Sequence, residues 1–260
     1  MSAEQSLLDG DLTASLQQLQ SQVRDNPGDA KLRVFLFQLL AVLGQWDRAL
    51  TQLKVACELD ASCLAMLQTY TQAIQCEQLR SQVFAGEKTP LIFGEPQQWM
   101  ALCIEAIALY AKGMIVQAKS LREQAFAMLE ARPGEINGQA FEWICDADNR
   151  IGPFLEAIVN GNYYWIPFDQ IQQVTIEEPE DLRDFVWTPG QFTWVNGGQA
   201  VALIPTRYSP LDERDSQLLL ARKTIWQDLG EEEYLGLGQR QFSTDIDDFS
   251  LLDIRCINFT

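Results

Sequence analysis

The pattern that most restricts this chain recurs after 34 residues. Gly10-x-Leu12-x-x-Ser15-x-x-x-Leu19, followed by Pro27, aligns with Gly44-x-Trp46-x-x-Ala49-x-x-x-Leu53, followed by Ala61. That is the period of the tetratricopeptide repeat, a helical hairpin with small residues where its helices approach. One such unit cannot bury its apolar face alone, so the pattern calls for stacked helices. A third copy of the turn, Gly113-x-Ile115-x-x-Ala118 followed by Ala125, comes 69 residues after Gly44. Between them the pattern lapses, and Gln78 stands where a glycine belongs. The competing reading is ordinary helical hairpins that share a turn.

Helix signals run through the first half. Leu12, Leu16, Leu19 and Val23 recur at spacings of three and four, and Asn26-Pro27-Gly28 stops that helix. Leu32 to Leu43 is apolar nearly all round, which places it centrally, and Gly44 caps it. Trp46, Ala49, Leu50, Leu53 and Ala56 open a third helix; Trp99 to Leu109 makes another. Stacked helices of this kind present a concave groove for a protein or peptide. On the helix before Gly44 that groove would be lined by Lys31, Val34, Gln38, Ala41 and Val42. Several of these are apolar and equally suit packing under a neighbouring helix.

The second half has different chemistry. Residues 1–132 carry 11 basic and 14 acidic side chains, and residues 133–260 carry 8 and 22. Five of the seven Trp fall in the later part, after a turn-rich Pro133-Gly134-Glu135-Ile136-Asn137-Gly138. The expectation is an α+β chain of two domains. Residues 1–132 form a tetratricopeptide-like helical domain. Residues 133–260 form an acidic, aromatic-rich, β-containing domain, a small barrel or bent sheet with a short helix. That helix would start at Gly152-Pro153 and end at Asn160-Gly161. Strands are expected at Tyr163 to Phe168, Val174 to Ile176, Leu218 to Trp226 and Phe249 to Ile257. A hairpin is expected over Asn196-Gly197-Gly198.

Composition narrows the chemistry. The chain has no His, which removes imidazole acid–base catalysis, Ser-His-Asp triads and His-metal sites. Its formal net charge of −17 disfavours nucleic acid and anionic membrane as partners. Six scattered cysteines without a Cys-x-x-Cys pair read as reduced core thiols. Met1 to Ser6 lacks a secretory signal, and the longest apolar stretch is too short to span a membrane, so a cytoplasmic location is expected. Asp146-Ala147-Asp148 suits a capping turn, or less naturally a divalent-metal loop. The acidic run from Glu177 to Asp184 reads as a solvated loop. There is no phosphate-binding glycine loop, and neither a cofactor nor a metal is expected.

Several blocks together resemble a known family. They are Arg33 to Leu40 with Leu43-Gly44-Gln45-Trp46; Phe93-Gly94-Glu95-Pro96 with Trp99; Asp146 to Trp165; Pro179 to Asp184 with Trp187; and Ile204 to Tyr208. In this order they are similar to the ImpE family, whose members are also called TagJ or SciE, accessory proteins of bacterial type VI secretion. The resemblance implies an intracellular accessory factor rather than an enzyme. It implies contact with a helix near the N-terminus of the small contractile-sheath subunit, and an indirect link to a ClpV-type unfoldase. The alternative from another class is an enzyme with a carboxylate or divalent-metal site in the C-terminal half.

Overall fold

The repeated glycines do the same work in space. A computed structural model describes residues 2–211 and 215–260. In it α1 (Ala3–Leu8) is followed by α2 (Leu12–Asp25), α3 (Ala30–Val42) by α4 (Trp46–Leu59), and α6 (Gln98–Ala111) by α7 (Ile115–Phe126). Gly10, Gly44 and Gly113 join these pairs with φ of +82°, +68° and +71°. Each glycine N–H donates to the carbonyl three residues back, and the next N–H to the carbonyl five back. This is the glycine C-cap that closes a helix end in the left-handed region. Ser15, Ala49 and Ala118 are fully buried at the close approaches, and the Ser15 hydroxyl donates to the Ala3 carbonyl at 2.8 Å.

The 34-residue period itself does not persist. A single long helix, α5 (Leu64–Phe84), runs through Gln78 and ends at Gly86, φ +71°, with the same pair of hydrogen bonds. The missing turn is displaced rather than lost. Successive helical hairpins are present, while a regular tetratricopeptide array is not established.

The second half builds a sheet whose register comes from tight turns. Its strands are β2 (Gly134–Ile136), β3 (Gln139–Phe141), β4 (Ile144–Asp146), β5 (Phe154–Val159), β6 (Asn162–Pro167), β7 (Ile171–Ile176), β8 (Trp187–Trp194) and β9 (Gln199–Pro205). They are followed by β10 (Thr224–Gly230), β11 (Glu233–Gly238), β12 (Gln241–Thr244), β13 (Asp248–Ser250) and β14 (Cys256–Phe259). With β1 (Leu91–Ile92) from the first half, the main sheet runs β1-β6-β5-β9-β8-β7-β14-β2-β3. Only β1–β6 is parallel within it. The sheet is open at β1 and β3, so the small barrel is not formed. β10–β11 and β13-β12-β4 make two smaller sheets.

Several local expectations are corrected. The helix expected from Gly152-Pro153 is strand β5, turning at Asn160-Gly161 into β6. All six residues of β5 are buried, so the alternation that marks a half-exposed strand is absent. The turn-rich Pro133 to Gly138 is built into the sheet, where β2 pairs with both β3 and β14 around an Asn137-Gly138 turn. Leu218 and Leu219 lie in a short helix, α8 (Ser216–Leu219), and the strand starts only at Thr224. Phe249 to Ile257 divides into β13, a helical turn and β14.

The sheet separates two cores. Phe154 and Ile158 of β5 join helix residues Phe37, Tyr70, Val83 and Trp99 in one apolar cluster, with Trp165 and Trp187. Leu155, Ala157 and Val159 face the other cluster, which includes Phe168, Phe192, Phe242 and Ile257. The helical half and one face of the sheet therefore share a core. All six cysteines are free; Cys145 and Cys256 are half-buried and the others buried.

Candidate functional site

The residues expected to line the groove all sit on α3, but they are not equivalent. Lys31 is exposed, and Val34 and Gln38 are half-buried. Ala41 and Val42 are fully buried and have no side-chain surface to offer a partner. The reason lies in the other half of the chain. The Arg207 guanidinium donates to the carbonyls of Val42 and Leu219, both at 2.6 Å, and of Ala41 at 3.5 Å. A cation at a helix C-terminus satisfies carbonyls that have no partner within the helix. Burial pulls the Arg207 pKa down to about 10, with Glu77 opposing, so it stays charged at neutral pH. Beside it Phe37 packs on Tyr70 at 5.6 Å, and Trp187 lies between Tyr70 (5.3 Å) and Trp46 (5.7 Å). This face of the helical stack is filled by the protein's own sheet half.

The same seam holds a buried ionic network. Glu156, on the helix-facing side of β5, accepts from Arg80 of α5 at 2.7 and 3.0 Å. It also accepts from Arg240 and from the Tyr163 hydroxyl. The Trp165 indole donates to that hydroxyl at 2.7 Å. Arg80 also donates to Glu77 at 3.4 Å and to the Arg207 carbonyl at 2.8 Å. The other end of Arg240 pairs with Asp146, which also accepts from the Tyr208 hydroxyl at 3.0 Å. Burial alone would raise the Glu156 pKa, but Arg80 and then Arg240 outweigh it and hold it at about 2.

Asp146 behaves oppositely. Burial pushes it up to about 7 against the pull of Arg240, and Asp148 adds to the rise. Two guanidinium groups serve three carboxyls here (Glu77, Glu156, Asp146), so one carboxyl keeps its proton most easily. Between its ordinary value of 3.8 and about 7, the folded chain holds a proton that the unfolded chain has released. Stability from this group should therefore fall as pH rises through that window, by at most about 1.4 kcal/mol per pH unit. Urea midpoints measured across pH 4–7 for the wild type and Asp146→Asn test this. The variant should lose the downward slope, and identical slopes would remove Asp146 as its source.

Asp148 is equally committed. It accepts from Arg150 Nε at 2.9 Å, from the Arg150 backbone at 2.9 Å and from the Gly236 backbone at 2.9 Å. Arg150 in turn donates to the Ser209 carbonyl at 2.7 Å and lies over the Phe84 ring. Asp146 and Asp148 do cap a turn, accepting from the Asp148 and Arg150 backbone N–H groups at 2.9 Å, but the turn leads into β5 rather than a helix. Both carboxylates are also taken up by buried ion pairs instead of lying open to a metal. Among the described residues no three His, Cys, Asp or Glu side chains are grouped to hold a metal ion. Glu233, buried at the start of β11, accepts from Arg122 at 2.5 Å and from the Tyr110 hydroxyl, tying the β10–β11 ribbon to α6 and α7. A cleft of about 640 Å³ lies between the end of α7 and the sheet, with Trp99, Phe126, Arg132 and Trp143 in its walls.

The sequence blocks that carried the resemblance thus join the two halves, most of them at this seam and Phe93 against the second core. Phe93 packs on Tyr164 and Trp194, Trp99 on Phe154, and Arg183 over the Tyr70 ring. The ImpE protein profile matches residues 138–258. The type VI secretion system accessory component TagJ of Pseudomonas aeruginosa (strain PAO1) is 50% identical over all 260 residues, covering 91% of that protein. This chain belongs to the ImpE family. A solved structure, protein VPA1032 from Vibrio parahaemolyticus, shares the ImpE fold with a TM-score of 0.91 at 23% identity. The match covers 99% of this chain and 97% of that one. The recognisable blocks of this ImpE chain build its fold and join its halves. Sequence reasoning had no local signal for Arg240 or Glu233, whose partners lie 94 and 111 residues away.

Proposed function

We propose that this protein is a cytoplasmic accessory component of a bacterial type VI secretion system that acts by binding. Its partner would be a helix near the N-terminus of the small contractile-sheath subunit, with an indirect link to a ClpV-type unfoldase. The observation that carries the reading is full-length 50% identity to a protein named as such an accessory component. The chemistry of the chain supports it. The acidic pair that an enzyme reading would use, Asp146 and Asp148, is occupied by Arg240 and Arg150. No helix among the described residues is long and apolar enough to cross a membrane.

The docking face on α3 keeps Lys31, Val34 and Gln38 as contributors, whereas Ala41 and Val42 act from beneath. An amphipathic helix would bring apolar anchors at i, i+3, i+4 and i+7. Calorimetry of the intact chain with the sheath-subunit helix as a synthetic peptide tests both the role and the face. Binding should weaken at least about tenfold in Val34→Glu, a loss of about 1.4 kcal/mol. Undiminished binding by that variant would move the face but keep the role. No binding to the intact chain would remove the sheath partner.

A further inference from the structure

A second surface of the helical half carries chemistry of a different kind. α2, α3 and α4 enclose a hollow of about 330 Å³, away from the residues named for the sheath helix. Three arginines, Arg24, Arg33 and Arg48, stand around it, one from each helix, and Leu36 and Leu40 lie buried beneath them. The chain as a whole carries −17. Yet no carboxylate lines the hollow, and among the described residues none of these arginines has an ion-pair partner. Asp29, beside it in sequence, is used up as the cap of α3, accepting from the Lys31 and Leu32 backbone at 2.9 and 3.2 Å. Arg33 is held in place: it donates to the Pro27 carbonyl at 3.1 and 3.0 Å and to Gln52 at 3.0 Å.

We propose that this arginine-rimmed hollow docks an acidic helical segment of a partner protein, one apolar side chain seated toward Leu36 and Leu40 and carboxylates on the guanidinium groups around it. Three features select that occupant. Guanidinium forks match carboxylates in a two-point geometry that a lysine rim lacks. The apolar floor offers a nucleic-acid backbone nothing, and the negative field of the whole chain repels extended polyanions. A short acidic segment instead gains its contacts locally, where positive charge is concentrated, so the surrounding acidity acts as selection against wrong partners. The site is independent of the sheath reading, which uses another face of α3.

The test uses two short fluorescein-labelled helical peptides with the full chain. Both carry a central Leu; one has Glu at the three and four positions on either side, the other Gln. Anisotropy titrations should show the Glu peptide binding at least about tenfold more tightly, a difference of about 1.4 kcal/mol. Arg24→Gln with Arg48→Gln, both at exposed positions, should erase that preference, while Lys54→Gln leaves it intact. Circular dichroism confirms that the double variant is folded. Equal binding of the two peptides, no binding of either, or a preference that survives in the double variant would each overturn the proposal.

Discussion

Replacing Glu156 with alanine should lower the unfolding free energy by about 3–5 kcal/mol, the usual cost of removing one side of a buried ion pair. The carboxylate is fully buried and accepts hydrogen bonds from Arg80, Arg240 and Tyr163. Its removal takes the shared carboxylate from two buried guanidinium groups, leaving Arg80 with Glu77 and the Arg207 carbonyl, Arg240 with Asp146, and the Tyr163 hydroxyl without its acceptor. Glu156→Gln should cost less, because the amide oxygen still accepts one of these bonds. Urea denaturation of both variants at pH 7 is the measurement. A loss under about 1 kcal/mol in the alanine variant would mean that the seam relaxes to admit water. Because Arg80 belongs to α5 and Glu156 to β5, this variant reports on the joint between the helical and sheet halves.

Trp187→Ala should be of comparable size, about 3–5 kcal/mol, since a fully buried indole leaves a large cavity. Trp187 touches Trp46 and Tyr70, and its indole N–H donates to Glu77 at 3.2 Å. Trp46 is only half-buried and packs on Trp187 rather than between helices alone, so Trp46→Ala should cost clearly less. The pair in contact should be non-additive in a double-mutant cycle, with a coupling of about 0.5–3 kcal/mol. Strict additivity would show that the ring contact contributes nothing beyond its burial. The comparison matters for the repeat: the aromatic after Gly44 serves the joint between halves more than the stacking of hairpins.

Asn-Gly turns show how far local reading goes. The pair occurs at Asn137-Gly138, Asn160-Gly161 and Asn196-Gly197, and a hairpin forms at all three. At the first two, both residues have positive φ, the geometry of the two-residue turn that matches strand twist. Only the third is flanked by alternating residues, and only there is the hairpin legible. Around Asn160-Gly161 the preceding strand is buried on both faces and apolar apart from Glu156, and that pattern does not separate strand from helix. Around Asn137-Gly138 the strands are three residues long, too short to show a period.

What lies in neighbouring residues was therefore open to reading: the glycine-capped helical turns, the small residues at helix approaches, the change of character after residue 132 and the order of the ImpE blocks. Those signals are local because a helix cap or a tight turn depends on the φ that one or two residues accept. The site was not legible in the same way. Whether Val42 faces a partner or the inside depends on Arg207, 165 residues away, and the state of Asp146 depends on Arg240. Burial and charge pairing are properties of chain segments brought together, and a carboxylate beside a helix or turn reads alike whether water or a guanidinium will meet it. Only the tertiary structure turned one face of α3 inward, left the arginine hollow open on another, and spent the acidic blocks on the seam between the halves.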